Sequence, residues 1–152
     1  MHQLTLTTKS SEETVKLGRM LGENLDGGEI IELASDLGSG KTTLVKGIAV
    51  GAGSRELVSS PSFTICNEYA CSKFKIYHFD FYRLSDPGIV RRELEEVIGS
   101  RSSVIIIEWP EVVTNVLPNE HIVIQIKSPG VNSRRLTIKY TKDLKYITKG
   151  LK

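Results

Sequence analysis

Residues 29–43, EIIELASDLGSGKTT, decide the fold of this chain. The first part, residues 30–34, is a short apolar run with β-branched residues, which predicts a buried strand. A glycine-containing break follows over residues 35–40, and from Lys41 to Ala49 the apolar residues recur at helical spacing. A strand, a glycine loop, a Lys-Thr pair and a helix, in this order, form the context that a phosphate-binding P-loop requires.

The loop has the residue types of a triphosphate site. Gly38 and Gly40 allow consecutive backbone N–H groups to turn inward, and the N-terminus of the following helix adds positive potential. Lys41 can reach the β and γ phosphates, and the Thr42 hydroxyl can ligate a magnesium ion that bridges them. We predict that phosphate binds along the loop, at Asp36, Leu37, Gly38, Ser39, Gly40, Lys41, Thr42 and Thr43. The alternative is a glycine-rich turn that a lysine follows by chance.

One position departs from the P-loop pattern. The strict form G-x-x-x-x-G-K-[ST] requires glycine at position 35, where this chain has Ser35. A non-glycine residue is poorly tolerated at positive φ, so the loop must adopt an ordinary conformation at Ser35 or carry strain there. We expect a lower nucleotide affinity rather than the loss of the site, because the residues that contact phosphate are intact.

Length and composition predict one globular domain over residues 1–152. The 152 residues, 39% hydrophobic and 25% charged, provide a core for one domain and are too few for two ordinary ones. The net charge of +2 does not indicate a nucleic-acid-binding protein. No run of about 18 apolar residues occurs, which predicts a cytoplasmic protein without a membrane partner. Cys66 and Cys71 are predicted to be free thiols.

Two carboxylates stand at the ends of predicted strands. Residues 74–80 form an aromatic-rich strand that ends at Asp80, and residues 103–108 form a nearly uninterrupted apolar strand that ends at Glu108. Ligands of parallel sheets bind beyond the carboxyl ends of the strands, so both acids should face the phosphate site. One acid can hold the metal, as a Walker-B acid does, and the other can orient or deprotonate the attacking water.

The division of roles between these acids stays open. We assign Asp80 mainly to the metal, together with Thr42, and Glu108 mainly to water, although Glu108 is also a candidate metal ligand. Asp80 has an equal alternative as a cap of the following turn. Glu108 needs a partner at the end of a buried strand, which Lys41 or the metal would provide. The predicted catalytic residues are therefore Lys41, Asp80 and Glu108.

The remaining segments complete an α/β fold. Residues 3–8 predict an edge or half-exposed strand, and Ser10 with Glu13 forms a capping-box signature for a helix that is terminated by residues 26–28. Another helix is predicted from residue 85. Residues 120–128 and 134–140 alternate strictly and predict an antiparallel hairpin. The sequence thus predicts a three-layer P-loop NTPase-like fold with a mixed, mainly parallel sheet and a C-terminal hairpin. A helix fragment or frayed end is predicted from about residue 142.

Three further side chains are candidates for secondary roles. Thr64, with Ser60 and Ser62 as alternatives, lies in a loop that could sense the γ-phosphate, although a turn-forming Ser/Pro cluster explains these residues equally well. Trp109 is placed to contact nucleotide or a partner, whereas such a ring more often belongs to the core. His78 is predicted to be structural, because no second histidine lies at metal-binding spacing.

Four sequence blocks, in this order and spacing, resemble the TsaE family, also called YjeE. They are SDLGSGKTT at residues 35–43, SPSFT at 60–64, HFDFYRL at 78–84 and IEWP at 107–110. Members of this family are bacterial P-loop ATPases required for the threonylcarbamoyladenosine (t6A) modification of tRNA. The resemblance covers nearly the whole chain, and its third and fourth blocks are far more specific than the P-loop.

The resemblance implies a small α/β ATPase that is weak alone and uses ATP and Mg²⁺ as cofactors. It also implies that the chain binds a complex of TsaB with the transferase TsaD and serves tRNA indirectly. It places Lys41 and Thr42 at nucleotide and magnesium, Thr64 in a switch-like loop, and Trp109 beside the two acids on the catalytic side. Members usually have glycine where this chain has Ser35, which again concerns the strength of nucleotide binding.

Two other functional classes fit a P-loop of this size. A small-molecule kinase typically has an arginine-bearing lid over the acceptor, and no glycine-flanked, arginine-rich insert occurs between Glu108 and the hairpin. A nucleotide-binding adaptor that does not hydrolyse is the other, and Ser35 motivates it. Phosphate release in the presence and absence of acceptors separates these classes from an ATPase.

Overall fold

A seven-stranded mixed sheet forms the centre of the fold. The computed structural model describes residues 1–35, 38–61, 65–84, 86 and 88–152. The strands are β1 (His2–Thr8), β2 (Ile30–Ala34), β3 (Cys66–Ala70), β4 (Lys75–Asp80), β5 (Ser103–Glu108), β6 (Ile122–Lys127) and β7 (Arg134–Tyr140). The helices are α1 (Ser11–Asn24), α2 (Lys41–Gly51) and α3 (Gly88–Val97), with 3-10 helices over Pro110–Val116 and Lys142–Thr148.

The strands follow the order β1-β7-β6-β2-β5-β4-β3 across the sheet. Parallel pairing joins the four central strands β6, β2, β5 and β4, whereas the outer pairs β1–β7, β7–β6 and β4–β3 are antiparallel. The predicted mixed sheet and C-terminal hairpin are confirmed, with parallel pairing confined to the centre. The hairpin joins the sheet through β6, and the predicted edge strand β1 pairs with β7.

Two apolar clusters cover the two faces of the sheet. On one face, alternate residues of β2, β5, β6 and β7 pack with α1 and α2; Ile106, Leu33 and Leu44 are at most 2% exposed there. On the other face, Ile107 and Phe79 pack with Leu94 of α3 and Val113 of the 3-10 helix. Near-continuous apolar strands such as β5 are buried on both faces because helices cover each side. The predicted three-layer arrangement follows from this packing.

Helices α1 and α2 approach each other closely at glycines. A Cβ atom added at Gly18 would lie 2.4 Å from the Leu44 carbonyl oxygen, and one added at Gly47 would lie 2.2 Å from the Val15 carbonyl oxygen. No side chain larger than hydrogen fits at these contacts without moving the backbone. This close contact fixes α2, and with it the loop that precedes α2, against the rest of the domain.

The predicted helix signals of α1 are confirmed. The Ser10 side chain accepts a hydrogen bond from the Glu13 N–H at 3.1 Å, and the Glu13 carboxylate accepts one from the Lys9 N–H at 2.6 Å. The predicted capping box is therefore present, with its return bond made one residue earlier than the usual pattern. Both cysteines are free, as predicted.

The C-terminal segment is helical, which was one of the two predicted alternatives, and it is not a frayed end. It forms the 3-10 helix Lys142–Thr148, in which Ile147 is 1% exposed. The Asn24 side chain donates hydrogen bonds to the Ile147 and Lys149 carbonyl oxygens at 2.9 and 2.8 Å. These contacts attach the segment to the end of α1.

Candidate functional site

The loop between β2 and α2 has the backbone conformation of an anion site. Gly38 has a φ of 75° and Gly40, the N-cap of α2, has a φ of 102°. Residues other than glycine rarely adopt these angles, so both glycines are needed for the chain to turn into the helix at Lys41. The loop lies beyond the carboxyl end of β2, where the positive end of α2 attracts anions. Asp36 and Leu37 lie outside the described residues.

Ser35 has an ordinary backbone conformation, which was the first of the two alternatives predicted for it. It is not among the described non-glycine residues with positive φ, which are Ile65 and Trp109. Its hydroxyl forms a hydrogen bond with the Ser39 hydroxyl at 2.5 Å, across the base of the loop. The serine therefore enters the loop with ordinary backbone geometry and supplies a bond that glycine lacks.

The two predicted carboxylates meet beside the loop. β4 and β5 are parallel, and Asp80 stands in register with Glu108, so both side chains lie on the α2 face of the sheet. Asp80 is 5% exposed and Glu108 is 4% exposed. Together with the loop they line a cleft of about 220 Å³, whose remaining lining residues are Gly38, Gly40, Lys41, Thr42 and Ser60.

Glu108 is held by two partners. The Lys41 Nζ atom lies 3.3 Å from its Oε1 atom, as predicted for a buried strand-end acid, and the His78 Nε2 atom lies 2.6 Å from its Oε2 atom. Burial alone would raise the pKa of Glu108, but the hydrogen bond and charge of His78, together with the charge of Lys41, lower it below the ordinary value. Glu108 is therefore ionised at neutral pH.

Asp80 both lines the cleft and caps a turn. Its Oδ1 atom accepts a hydrogen bond from the Tyr82 N–H at 2.9 Å, which is the local capping role weighed as the alternative. The carboxylate also borders the cleft that contains Lys41 and Thr42. The two interpretations of Asp80 are thus compatible, because the turn holds the carboxylate at the edge of the cleft.

The other predicted site residues lie around this cleft. Ser60 lines it, whereas Ser62 and Thr64 lie outside the described residues. The Ser39 side chain is buried in the loop, and Thr43 lines a different cleft, on the other flank of the loop. The structure therefore brings together Gly38, Gly40, Lys41, Thr42, Asp80 and Glu108 of the predicted residues.

Trp109 lies beside the cleft rather than in its lining. Its ring centroid is 5.1 Å from the Lys41 Nζ atom and 4.8 Å from the Tyr82 ring. Its φ of 56° is unusual for a non-glycine residue and turns the chain sharply after β5. The ring also borders a separate cleft of about 320 Å³ that includes Ser35 and Lys127. The contact with Lys41 connects Trp109 to the site through a cation–π interaction.

The donor atoms of the cleft suit magnesium. The Thr42 hydroxyl and the carboxylates of Asp80 and Glu108 are hard oxygen donors of the kind that Mg²⁺ prefers. No group of three or more His, Cys, Asp or Glu side chains placed to hold a metal occurs among the described residues. Such a sparse set fits Mg²⁺ that binds through substrate phosphates and one or two protein oxygens.

A second, smaller cleft opens on the other flank of the loop. It has a volume of about 100 Å³ and lies between the loop, the beginning of α1 and the turn of the β6–β7 hairpin. Gly40 lines it from the loop, Thr43 from the first turn of α2, Ser11 from α1, and Asn132 and Arg134 from the hairpin. The loop therefore separates two clefts, one with both acids and one lined mainly by neutral polar groups and one arginine.

The contacts of two residues in this region were not predicted from the sequence. The Arg134 Nε atom donates a hydrogen bond to the Ser39 carbonyl oxygen at 2.8 Å, across 95 positions of sequence. His78 was predicted to be structural, yet its imidazole contacts the central acid of the cleft. Its position two residues before Asp80 was the available signal, because residues two apart on a strand share a face. No local pattern could have indicated the contact of Arg134.

The chain matches known proteins over most of its length. The family model described as threonylcarbamoyl adenosine biosynthesis protein TsaE matches residues 8–136. A tRNA threonylcarbamoyladenosine biosynthesis protein TsaE from Bacillus subtilis is 36% identical over 137 residues, 90% of this chain and 85% of that protein. The protein of the same name from a Nostoc species is 43% identical over 103 residues, 66% of this chain and 64% of that protein.

A solved structure has the same fold. The crystal structure of Bacillus subtilis YdiB superimposes with a TM-score of 0.80 at 31% identity, covering 96% of this chain and 91% of that one. Within the part of the chain that the structure describes, no helix has the length and apolar character needed to cross a membrane.

Proposed function

Because the chain belongs to the TsaE family of threonylcarbamoyladenosine biosynthesis proteins, we propose that it is an ATPase that serves the t6A modification of tRNA. In this proposal it binds ATP with Mg²⁺, hydrolyses ATP weakly alone and is activated in a complex with TsaB and TsaD. tRNA is then reached indirectly, through those partners, in the cytoplasm. The names of the relatives support the role in t6A biosynthesis, and the cleft supports the chemistry.

One observation carries the proposed activity. The P-loop, with its two positive-φ glycines, borders the same cleft as Lys41, Thr42 and the strand-end acids Asp80 and Glu108. A cradle of N–H groups beside a lysine binds polyphosphate, and an ionised carboxylate near it can accept a proton from water. Binding and hydrolysis therefore have their required groups within one cleft.

Each group has a distinct task in this proposal. The loop N–H groups and Lys41 hold the β and γ phosphates, and Glu108 orients a water molecule toward the γ-phosphorus and accepts its proton. The new bond joins the water oxygen to phosphorus, the bond between phosphorus and the β–γ bridging oxygen breaks, and ADP leaves. Thr42 and Asp80 would hold the magnesium ion, which neutralises phosphate charge when it is bound.

Binding of ATP would release Lys41 from Glu108. In the structure the Lys41 ammonium group lies 3.3 Å from the Glu108 carboxylate and neutralises it. Phosphate oxygens carry more charge than one carboxylate, so the ammonium group should move toward them and leave Glu108 Oε1 for water. The carboxylate is thus kept ionised before substrate arrives and becomes available for water once substrate is bound.

The nucleoside end of ATP would lie in the second cleft. The acids and Lys41 border one flank of the loop, so the γ-phosphate belongs there, and the chain of phosphates passes over the loop toward Thr43. Asn132 can hydrogen-bond the ribose or base, and Val131, which is 91% exposed, offers an apolar surface to the base. Arg134 holds the hairpin turn against the loop on this flank.

Phosphate release measured with matched variants tests the proposal. The wild-type protein, Lys41→Met and Glu108→Gln are assayed with ATP and Mg²⁺, alone and with TsaB and TsaD. We expect phosphate release by the wild type to increase with the partners, and binding of ATP to weaken in Lys41→Met. Glu108→Gln should still bind ATP but release phosphate at least about 100-fold more slowly than the wild type. Equal release by the wild type and Glu108→Gln would remove Glu108 from the mechanism.

The same assay separates the alternative classes. A small-molecule kinase shows little turnover in water and needs an acceptor, so candidate acceptors are added in a parallel series. A non-hydrolysing adaptor binds ATP without phosphate release even with TsaB and TsaD. The ordinary backbone conformation at Ser35 removes the strain that motivated the adaptor, and the proposal retains hydrolysis.

A further inference from the structure

The Glu108 carboxylate is held at both oxygens, and only one of its partners comes from the P-loop. Lys41 contacts Oε1, whereas His78 contacts Oε2 at 2.6 Å. The His78 side chain is 0% exposed and Glu108 is 5% exposed at the side chain, so water does not compete for this bond. His78 is not part of the cleft lining, and it acts on the site through Glu108.

The direction of the His78–Glu108 bond follows from charge. An ionised carboxylate only accepts hydrogen bonds, so the His78 Nε2 atom must carry the hydrogen and donate it. The other ring nitrogen, Nδ1, is buried and has no hydrogen-bond partner among the described residues. Burying a polar ring with one nitrogen unsatisfied costs free energy that an apolar side chain would not. The contact with Glu108 is the interaction that histidine supplies here.

We propose that His78 is a positioning residue, whose Nε2–H fixes the Glu108 carboxylate so that Oε1 alone faces Lys41 and the substrate cleft. The inference rests on the proposed ATPase activity and deepens it. A glutamate has three side-chain torsions, and the bond to His78 at Oε2 restricts them together with the contact to Lys41 at Oε1. Glu108 then presents one oxygen in one orientation to water, which lowers the cost of ordering it for catalysis.

Two amide substitutions separate positioning from packing. His78→Gln places an amide N–H close to the position of Nε2 and can still reach Glu108, whereas His78→Asn places its amide near the position of Nδ1 and cannot. With TsaB and TsaD present, we expect kcat to fall about 10–100-fold in His78→Asn and to remain within a few-fold of the wild type in His78→Gln. The KM for ATP should stay unchanged in both, because His78 does not line the cleft.

ATP binding and folding are measured in the same variants. Trp109 is the one tryptophan of the chain and its ring lies 5.1 Å from the Lys41 Nζ atom, so its fluorescence reports nucleotide binding. In a Glu108→Gln background, His78→Asn should cause no further loss of kcat, since the group that it positions is already absent. The inference is overturned if His78→Asn keeps the wild-type kcat, if it raises KM alone, or if its loss is the same in both backgrounds.

A measurement on the wild-type protein remains decisive if a His78 variant does not fold. The chain has three histidines, so imidazole ¹⁵N signals of the nucleotide-free protein can be assigned with few substitutions. We expect a hydrogen on Nε2 of His78 and a change in that signal in Glu108→Gln. A hydrogen on Nδ1 alone, or signals that do not respond to Glu108→Gln, contradict the bond. Because this readout needs no ATP, its failure is distinct from absence of ATP hydrolysis in the wild type, which would overturn the proposed function.

Discussion

Replacement of Lys41 by methionine in the nucleotide-free protein tests the electrostatics of the cleft. Lys41→Met keeps the buried aliphatic stem and removes the ammonium group that lies 3.3 Å from Glu108 Oε1. The two side chains are 8% and 5% exposed, so solvent screens their interaction only weakly. A hydrogen bond to a charged group contributes about 1.5–3 kcal/mol, and the loss of all partners of a buried charge costs more.

His78 still holds the other carboxylate oxygen in Lys41→Met, so the cost is that of one hydrogen bond to a charged group, about 1.5–3 kcal/mol. We expect the free energy of unfolding to fall by about 2 kcal/mol, which lowers Tm by roughly 4–8 °C in a chain of this size. Urea and thermal unfolding without nucleotide measure both quantities. Lys41→Met/Glu108→Gln is the matched control: a neutral amide does not need the cation, so more than half of the loss should be recovered.

The difference in unfolding free energy between the wild type and Lys41→Met should depend on pH, and the sign of this dependence follows from the pKa of Glu108. The pKa of folded Glu108 lies below its ordinary value of 4.5, so its ionisation contributes stability that is present above the unfolded pKa. That contribution is lost as the pH falls through the folded pKa, and the gap between the wild type and Lys41→Met should therefore shrink in acid. Equal stability of the two proteins at pH 7, or a gap that does not change with pH, would refute the role of this ion pair.

Three other outcomes follow from the structure. Gly47→Ala should lower the free energy of unfolding by about 1–3 kcal/mol in urea titrations, because its Cβ would lie 2.2 Å from the Val15 carbonyl oxygen. Asn132→Ala should weaken ATP binding about 2–10-fold in calorimetry and leave tripolyphosphate binding unchanged. Equal losses for both ligands would contradict binding of the nucleoside in the second cleft. The hydrogen bond to Glu32 raises the pKa of His121 above 6.5, so this pair stabilises the fold below that pH and the stability is lost as pH rises through the folded pKa. His121→Gln should therefore cost more stability at pH 5.5 than at pH 9.

Local patterns were sufficient for most of the secondary structure. The uninterrupted apolar run of β5 and the alternation of β6 and β7 each specify a strand and the number of buried faces. Ser10 and the glycines of the loop between β2 and α2 act within a few residues of their positions in sequence, so their conformational roles were visible as spacing. The 3-10 helix Pro110–Val116 was not predicted, because its short segment carries no helical repeat.

Pairing between distant segments could not be predicted from the sequence. No local feature specifies that β6 lies parallel to β2 or that β1 pairs with β7, since either strand presents the same alternation to any neighbour. For the same reason the proximity of Asp80 and Glu108 was predicted only from the general position of ligands in parallel sheets. The contact between His78 and Glu108 depends on the β4–β5 register and emerged only from the structure.

Calorimetric titration of the purified chain with Mg-ATP tests most directly whether the cleft lined by Lys41, Asp80 and Glu108 binds a nucleoside triphosphate. The wild-type protein and Lys41→Met are titrated under identical conditions, with folding verified by circular dichroism. We expect one saturable site in the wild type and about 10–100-fold weaker binding in Lys41→Met, which corresponds to loss of one charge-assisted bond to phosphate. Absence of binding to the wild type, or the same affinity in both proteins, would contradict the assignment of the cleft.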